Sequence, residues 1–235
     1  GERLNYLIRY PHGCIEQTTS AAFPQLYLSD LVQLSEEQKT RTDQNIKKAI
    51  SRLTSFQISS GGLSYWPGNS TVSDWGTTYV GHFLIEAKNK GYVLPNGFLL
   101  KWKRYQKNEA RNWAKQVDRS GISQAYRLYT LALAGEPEIG AMNRLLSSTG
   151  LDKTTKFRLA AAYQLAGKPE VAERLISGLN YELEDYTELG NTFGSALRDK
   201  AMILESLTLI GEQNDAFKLV KSISEELNQN RWYGT

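Results

Sequence analysis

Cys14 and Gln17 are the two side chains whose types and spacing could form a bond. Cys14 is the single cysteine of the chain, and it lies in the run Tyr10-Pro11-His12-Gly13-Cys14-Ile15-Glu16-Gln17, which reads as a helix start. On a helix, positions i and i+3 share a face, with Cβ atoms about 5–6 Å apart. The sulfur therefore comes within reach of the Gln17 carboxamide. Attack of the thiolate on that amide, with loss of ammonia, would give an internal thioester, an acyl group held ready for a nucleophile. Such a bond needs water kept out, and Tyr10 is a candidate shield, with ordinary core packing as its alternative. Backbone N–H groups at the helix start could polarise the acyl oxygen. Glu16 takes a supporting, hydrogen-bonding role there, since a carboxylate is favoured near a helix N-terminus.

Two other readings of the same cysteine compete. A lone Cys among apolar residues is usually a small buried hydrophobe with no chemistry. A thiol protease or transferase built on Cys14 and His12 is disfavoured, because i and i+2 do not face each other on a helix.

The elements that must hold the motif are all helical. Gln17 to Leu34 reads as one helix with a kink at Pro24 and Ala21, Ala22, Leu26, Leu28 and Leu31 turned inward. Ser35, three residues before Gln38, starts a capping box, and the helix it opens runs to about Phe56 with Ile46, Ile50 and Leu53 on one stripe. The segment from Gln57 to Gly68 is a glycine-rich turn carrying Tyr65 and Trp66. Those aromatics are expected to pack over helix ends, with a ligand-binding floor as the less favoured reading. Asp74 is expected to cap a helix through about Asn89, with Tyr79, Phe83 and Leu84 as its apolar positions.

A basic helix, Phe98 to Val117, then carries Lys101, Lys103, Arg104, Lys107, Arg111 and Lys115, interleaved with Trp102, Tyr105 and Trp113. That pattern suits single-stranded nucleic acid, but a solvated face opposite a core stripe is the commoner cause. Next, Ala134-Gly135-Glu136-Pro137-Glu138 and Ala166-Gly167-Lys168-Pro169-Glu170 mark a repeated helical hairpin, with Gly211-Glu212-Gln213-Asn214-Asp215 as a weaker third copy. Gly suits the left-handed helix end and Pro the first turn of the next helix. Alone, these hairpins would suit a tetratricopeptide-type solenoid, that is, a helical-repeat protein-binding module with an inert cysteine. Asn180 to Ser195 is the longest irregular stretch, an acidic loop. Two further helices reach about Asn230. No convincing strand is expected.

Composition removes several classes. With 28 Lys plus Arg against 25 Asp plus Glu, the net charge is +3 and no long single-sign block occurs, which argues against a nucleic-acid partner. No run of about 18 apolar residues could span a membrane. A single Cys permits no intramolecular disulfide, and with only His12 and His82 it supplies no zinc cluster. Gly61-Gly62 lacks the lysine of a phosphate loop. At 235 residues the chain could be one large domain or two small ones.

Gly-Cys-x-Glu-Gln, extended here to Tyr-Pro-x-Gly-Cys-x-Glu-Gln-Thr-Thr, resembles the motif of the thioester-containing proteins, namely complement components and α2-macroglobulins. The longer run is most similar to the bacterial α2-macroglobulin branch. Ile15 stands where many members carry Gly or Leu, inside the loop between the bonded residues. The Gln57–Trp66 segment also resembles the turn that staples helices in α/α-toroid proteins such as terpene cyclases and prenyltransferase β subunits.

The resemblance implies an all-α, α/α-toroid thioester domain covering residues 1–235, a fragment of a larger multidomain protein. Trp232-Tyr233-Gly234-Thr235 looks like the start of a further family motif, so the last toroid helices are expected to be missing. The implied function is a broad-spectrum protease inhibitor. A protease cuts the parent, the bond is exposed, and a protease lysine attacks the Gln17 acyl carbon. Partners would be target proteases and the parent's other domains. No cofactor is implied beyond the Cys14–Gln17 bond, and the reaction is single-turnover rather than enzymatic. The implied location is the periplasm, through a lipid anchor on the parent. Members that acylate hydroxyls resemble one another in a histidine about a hundred residues after the motif; Ser123, Gln124 and Tyr126 stand in that stretch here, which favours attack by amines.

Overall fold

The computed structural model describes residues 2–114 and 120–228. Among these, the regular structure is helical and the β-type pairing amounts to isolated bridges, so the expected all-α class holds. The chain divides into two compact units, Gly1–Gln106 and Lys107–Thr235.

The first unit carries α1 (Glu2–Leu7), α2 (Ile15–Ala22), a 3-10 turn (Phe23–Leu26), α3 (Leu28–Leu31), α4 (Glu36–Thr54), α5 (Asp74–Asn89) and the start of α6 (Phe98–Asn112). The helix expected from Gln17 to Leu34 is instead three short pieces. Pro24 supplies no N–H and enters the first turn of the 3-10 segment, so the α ladder ends at Ala22. The break shifts the helical register: Ala21, Ala22, Leu26 and Leu28 are buried as expected, but Leu31 is 77% exposed.

Helix α4 begins at the expected capping box, in which Ser35 accepts from the Gln38 N–H and Gln38 Oε1 accepts from the Ser35 N–H. Its Ile46, Ile50 and Leu53 stripe is buried. The cap of α5 is Ser73 rather than Asp74: the Ser73 hydroxyl accepts from the Gly76 N–H, and Asp74 is the first helical residue, where its charge still favours the helix N-terminus. Helix α5 is buried nearly all round, the pattern of a central helix. At Gly81 the Trp102 ring of α6 lies so close that a Cβ would stand 2.1 Å from it. The Trp102 indole N–H donates to the Thr77 carbonyl at 2.8 Å, locking α6 against α5.

In the second unit lie α7 (Ser120–Leu133), α8 (Ile139–Leu146), α9 (Lys153–Leu165), α10 (Pro169–Ile176), α11 (Ala196–Ile210) and α12 (Gln213–Asn228). Helix α9 is its hub and packs on α7, α10 and α11. The hairpin repeat is real: Gly135, Gly167 and Gly211 all take positive φ at helix ends. Pro169 opens α10, whereas Pro137 lies just outside α8, ahead of its N-cap Glu138. Arg158 of α9 is only 1% exposed, with its guanidinium paired to Glu205 of α11 at 2.6 Å and set 4.3 Å from the Tyr129 ring centre. The loop before α11 is tied rather than slack, since Thr192 and the Gly194 N–H both donate to Glu188.

The basic helix ends at Asn112 instead of Val117. Trp102 is fully buried, Lys101 and Arg104 face solvent, and Arg111 pairs with Glu138, as the solvated-face reading requires. Lys115 and Val117, Asn230, and the run Trp232-Tyr233-Gly234-Thr235 lie outside the described residues. Among the described residues no helix is long and apolar enough to cross a membrane.

Candidate functional site

Helix α2 starts at the motif because Cys14 is its N-cap. The residue has extended backbone (φ −72°, ψ 177°), and Cys14 and Gln17 form a reciprocal capping box. The Gln17 Oε1 accepts from the Cys14 backbone N–H at 3.2 Å, while the Cys14 sulfur faces the Gln17 backbone N–H. The i, i+3 spacing thus brings sulfur and carboxamide together at one helix end. Cys14 is 3% exposed, and Gln17 is exposed on the outer side of the turn.

Gly13 explains why a glycine precedes the pair. It sits at φ +90°, which L side chains rarely adopt, and a Cβ there would stand 2.0 Å from Gln17 Oε1. The carboxamide lies folded over the bare Cα.

The segment entering the motif is anchored by polar side chains of neighbouring elements. The Gln25 and Asn45 amides both donate to the Arg9 carbonyl. Arg52 of α4 donates to the Gly13 carbonyl at 2.7 Å and to Thr18 Oγ1 at 3.3 Å. Thr18 and Thr19, the two threonines after the motif, are fully buried; Thr19 donates back to the Ile15 carbonyl at 2.7 Å.

Glu16 lies in the first turn of α2 and is buried. Tyr10 is 53% exposed, with Lys48 over its ring, so it stands on the outer surface of the unit. The aromatic at the sulfur is Tyr65, for which the sequence favours packing over helix ends ahead of a ligand-binding floor. Cys14 Sγ donates to Tyr65 Oη at 3.3 Å. The backbone fixes this approach, since the Ile15 N–H donates to the Tyr65 carbonyl at 3.1 Å. The hydrogen bond with Cys14, then burial and the charges of Cys14 and Glu16, push the Tyr65 phenol up to about 12. Burial likewise pushes Tyr79 of α5 up to about 12, opposed by its hydrogen bond with Ser20 and aided by Glu16.

His12 is exposed while Cys14 is buried, and His82 packs edge-on against Phe23 at 4.9 Å. Among the described residues no group of three or more His, Cys, Asp or Glu could hold a metal ion. Of the residues standing in the stretch where hydroxyl-acylating members carry histidine, Gln124 is buried with its amide on the Ala110 carbonyl, and Tyr126 is buried as well.

Neither Tyr65 nor Arg52 was legible as part of the site. Tyr65 carried a faint signal, an aromatic in a glycine-bearing turn, but nothing in one sequence reports that the turn lies over α2. Arg52 reads as one more charged position on an amphipathic helix.

Comparisons with known proteins point to one family. The family model described as the A-macroglobulin TED domain matches residues 1–138. An alpha-2-macroglobulin of Escherichia coli strain K12 is 29% identical over 254 aligned positions, which cover 96% of this chain and 15% of the relative. A crystal structure of Salmonella alpha-2-macroglobulin reacted with methylamine superposes with TM-score 0.81 at 26% identity, over 98% of this chain and 16% of that one. Escherichia coli alpha-2-macroglobulin activated by porcine elastase superposes with TM-score 0.77 at 25% identity, over 98% of this chain and 23% of that one. These likenesses agree with an α/α-toroid fold class, and the chain spans about 15% of the length of the curated relatives it matches. A Cys-x-Glu-Gln box closed on its own glycine, in a fold shared with these proteins, has one reading: the chain belongs to the A-macroglobulin TED domain family and is a thioester domain of the bacterial alpha-2-macroglobulin type.

Proposed function

We propose that Cys14 and Gln17 close an internal thioester in the longer protein to which this domain belongs, and that this bond traps proteases covalently. The reciprocal Cys14–Gln17 capping box carries the reading, because it puts nucleophile and acyl carbon at one helix end before any bond exists. A lysine amine of an attacking protease takes the acyl group, leaving an isopeptide on Gln17 and a free thiol on Cys14. That is one turnover per molecule, so the domain acts as part of an endopeptidase inhibitor and not as an enzyme. Glu16 supports the turn from within, and Tyr10 acts as an outer cover completed by other domains of the parent. The proteases named with a neighbour, trypsin and porcine elastase, belong to the Escherichia coli protein; they are the sensible first targets for this one. The bond serves as the only prosthetic chemistry, and the parent is placed in the periplasm on a lipid anchor.

Exposure of Gln17 sets the expected behaviour of the 235-residue chain alone. Water reaches the acyl position, so the isolated domain carries a free Cys14 thiol. In the parent, the peptide holding Cys14 and Gln17 is expected one ammonia lighter than its sequence mass, and methylamine is expected to add at Gln17 and free the thiol. A parent whose peptide keeps its sequence mass before and after methylamine overturns the proposal and leaves the helical-repeat binding module.

A further inference from the structure

We infer that Tyr65 is a catalytic residue of the acyl transfer, its hydroxyl donating a hydrogen bond to the Cys14 sulfur as that sulfur leaves as a thiolate. The inference rests on the thioester reading above and adds a group that the motif does not contain.

The geometry is specific. Tyr65 Oη lies 3.3 Å from Cys14 Sγ, and the contact joins residues 51 positions apart in sequence. The phenol is held there by the backbone rather than by its own flexibility. The Tyr65 carbonyl accepts from the Ile15 N–H, the first residue of α2, and neighbouring Ser64 is buried with its hydroxyl on the Phe56 and Trp66 carbonyls. Whatever holds α2 in register therefore holds the phenol at the sulfur.

The chemistry follows from which partner carries the proton. With Cys14 as a thiol, the S–H donates and the tyrosine oxygen accepts. When an amine adds to the Gln17 acyl carbon, the carbon–sulfur bond breaks and its electron pair goes to sulfur. The new thiolate has no proton to give, so the phenolic O–H turns and donates to it. Tyr65 keeps its own proton throughout, since a phenol pushed up to about 12 stays neutral wherever amines attack. The amine sheds two protons, its ammonium proton before it attacks and a second once it has added to the acyl carbon, and both pass to water. Hydrogen bonds to a charged group are the stronger kind, and this one strengthens only as charge develops, which is what lowers a barrier.

Charged groups around the sulfur are Glu16 in the same turn, Arg52 of α4 on the Gly13 carbonyl, and exposed His12 two residues upstream. All three are unchanged in Tyr65→Phe, which removes one oxygen and keeps the ring. The first measurement is iodoacetamide alkylation of Cys14 against pH in the 235-residue chain. The alkylation midpoint is expected to move up by about one pH unit in Tyr65→Phe, the size of one charge-assisted hydrogen bond. An unmoved midpoint overturns the inference. If Tyr65→Phe does not fold, 3-fluorotyrosine at position 65 serves instead: a more acidic phenol is a stronger donor, and the midpoint is expected to move down. The second measurement is thiol release by methylamine from the full-length parent, expected to slow about tenfold in Tyr65→Phe. An unchanged release rate beside a shifted midpoint overturns the leaving-group role. A parent with no ammonia loss sinks that role together with the thioester, and the alkylation result still decides whether Tyr65 holds the thiolate.

Discussion

At the scale of single residues, the site is a set of close approaches around one small turn. Gly13→Ala would force a side chain into φ +90° and against the Gln17 carboxamide. We expect a loss of about 1–3 kcal/mol in urea unfolding, together with loss of methylamine incorporation in the parent, because the carboxamide must leave its seat. Arg52→Ala removes the donors on the Gly13 carbonyl and Thr18. It should cost about 1–2 kcal/mol and speed alkylation of Cys14 in the isolated chain, since the segment entering α2 loosens; equal alkylation rates would remove Arg52 from the site. That Cys14 and Gln17 meet at one helix end was readable from their three-residue spacing. Tyr65 was not, because it reaches the sulfur through a tertiary contact across 51 positions, and a period or motif reports only local neighbours.

Among the elements, what could be read depended on how local the cause was. The Ser35 capping box and the Ile46–Ile50–Leu53 stripe of α4 are short-range patterns, and both stand as expected. The helix expected after the motif is too long, because at Pro24 the chain does not kink and continue but tightens into a 3-10 turn and restarts. The cap of α5 was off by one residue since Ser73 and Asp74 are both good caps, and only the backbone chooses between them. Arg158 illustrates the opposite limit: nothing in α9 marks it as a buried cation, because its partner Glu205 lies on α11. A prediction at this scale concerns α5 and α6. Gly81→Ala places a methyl where the Trp102 ring lies, and such overpacking should cost about 1–3 kcal/mol, read as an earlier urea midpoint by tryptophan fluorescence. An unshifted midpoint would mean that the two helices are not wedged by this contact.

For the molecule as a whole, apolar periodicity, caps and hairpin turns were enough to read a helical fold, while the division into two compact units could not be drawn from the sequence. Its pH response has a direction. Tyr65 and Tyr79 are both pushed up to about 12 in the folded chain, from an unfolded value of 10.0. Below pH 10 their contribution to stability is whole; between about 10 and 12 the unfolded chain loses protons that the folded one keeps, and stability falls. Alkaline titration followed by phenolate absorbance should therefore show Tyr65 and Tyr79 among the late tyrosines, with Tyr92 and Tyr163 also pushed up by burial, and all of them titrating normally in urea. Tyr65→Phe should remove one late group, and an unchanged count of late tyrosines would misassign the shift.

The box that opens α2 has a consequence for the proposed trap. Gln17 Oε1 and the Cys14 sulfur are both engaged with backbone N–H groups while the thiol is free. Bonding that sulfur to the Gln17 acyl carbon would leave the acyl oxygen in place as an acceptor but draw the sulfur off its N–H partner, so the loaded domain would begin its helix less well closed. After an amine has taken the acyl carbon, the released sulfur could return to that N–H. The captured state would thereby regain a fastening that the armed state lacked, and the fold itself would act as a ratchet against re-forming the bond.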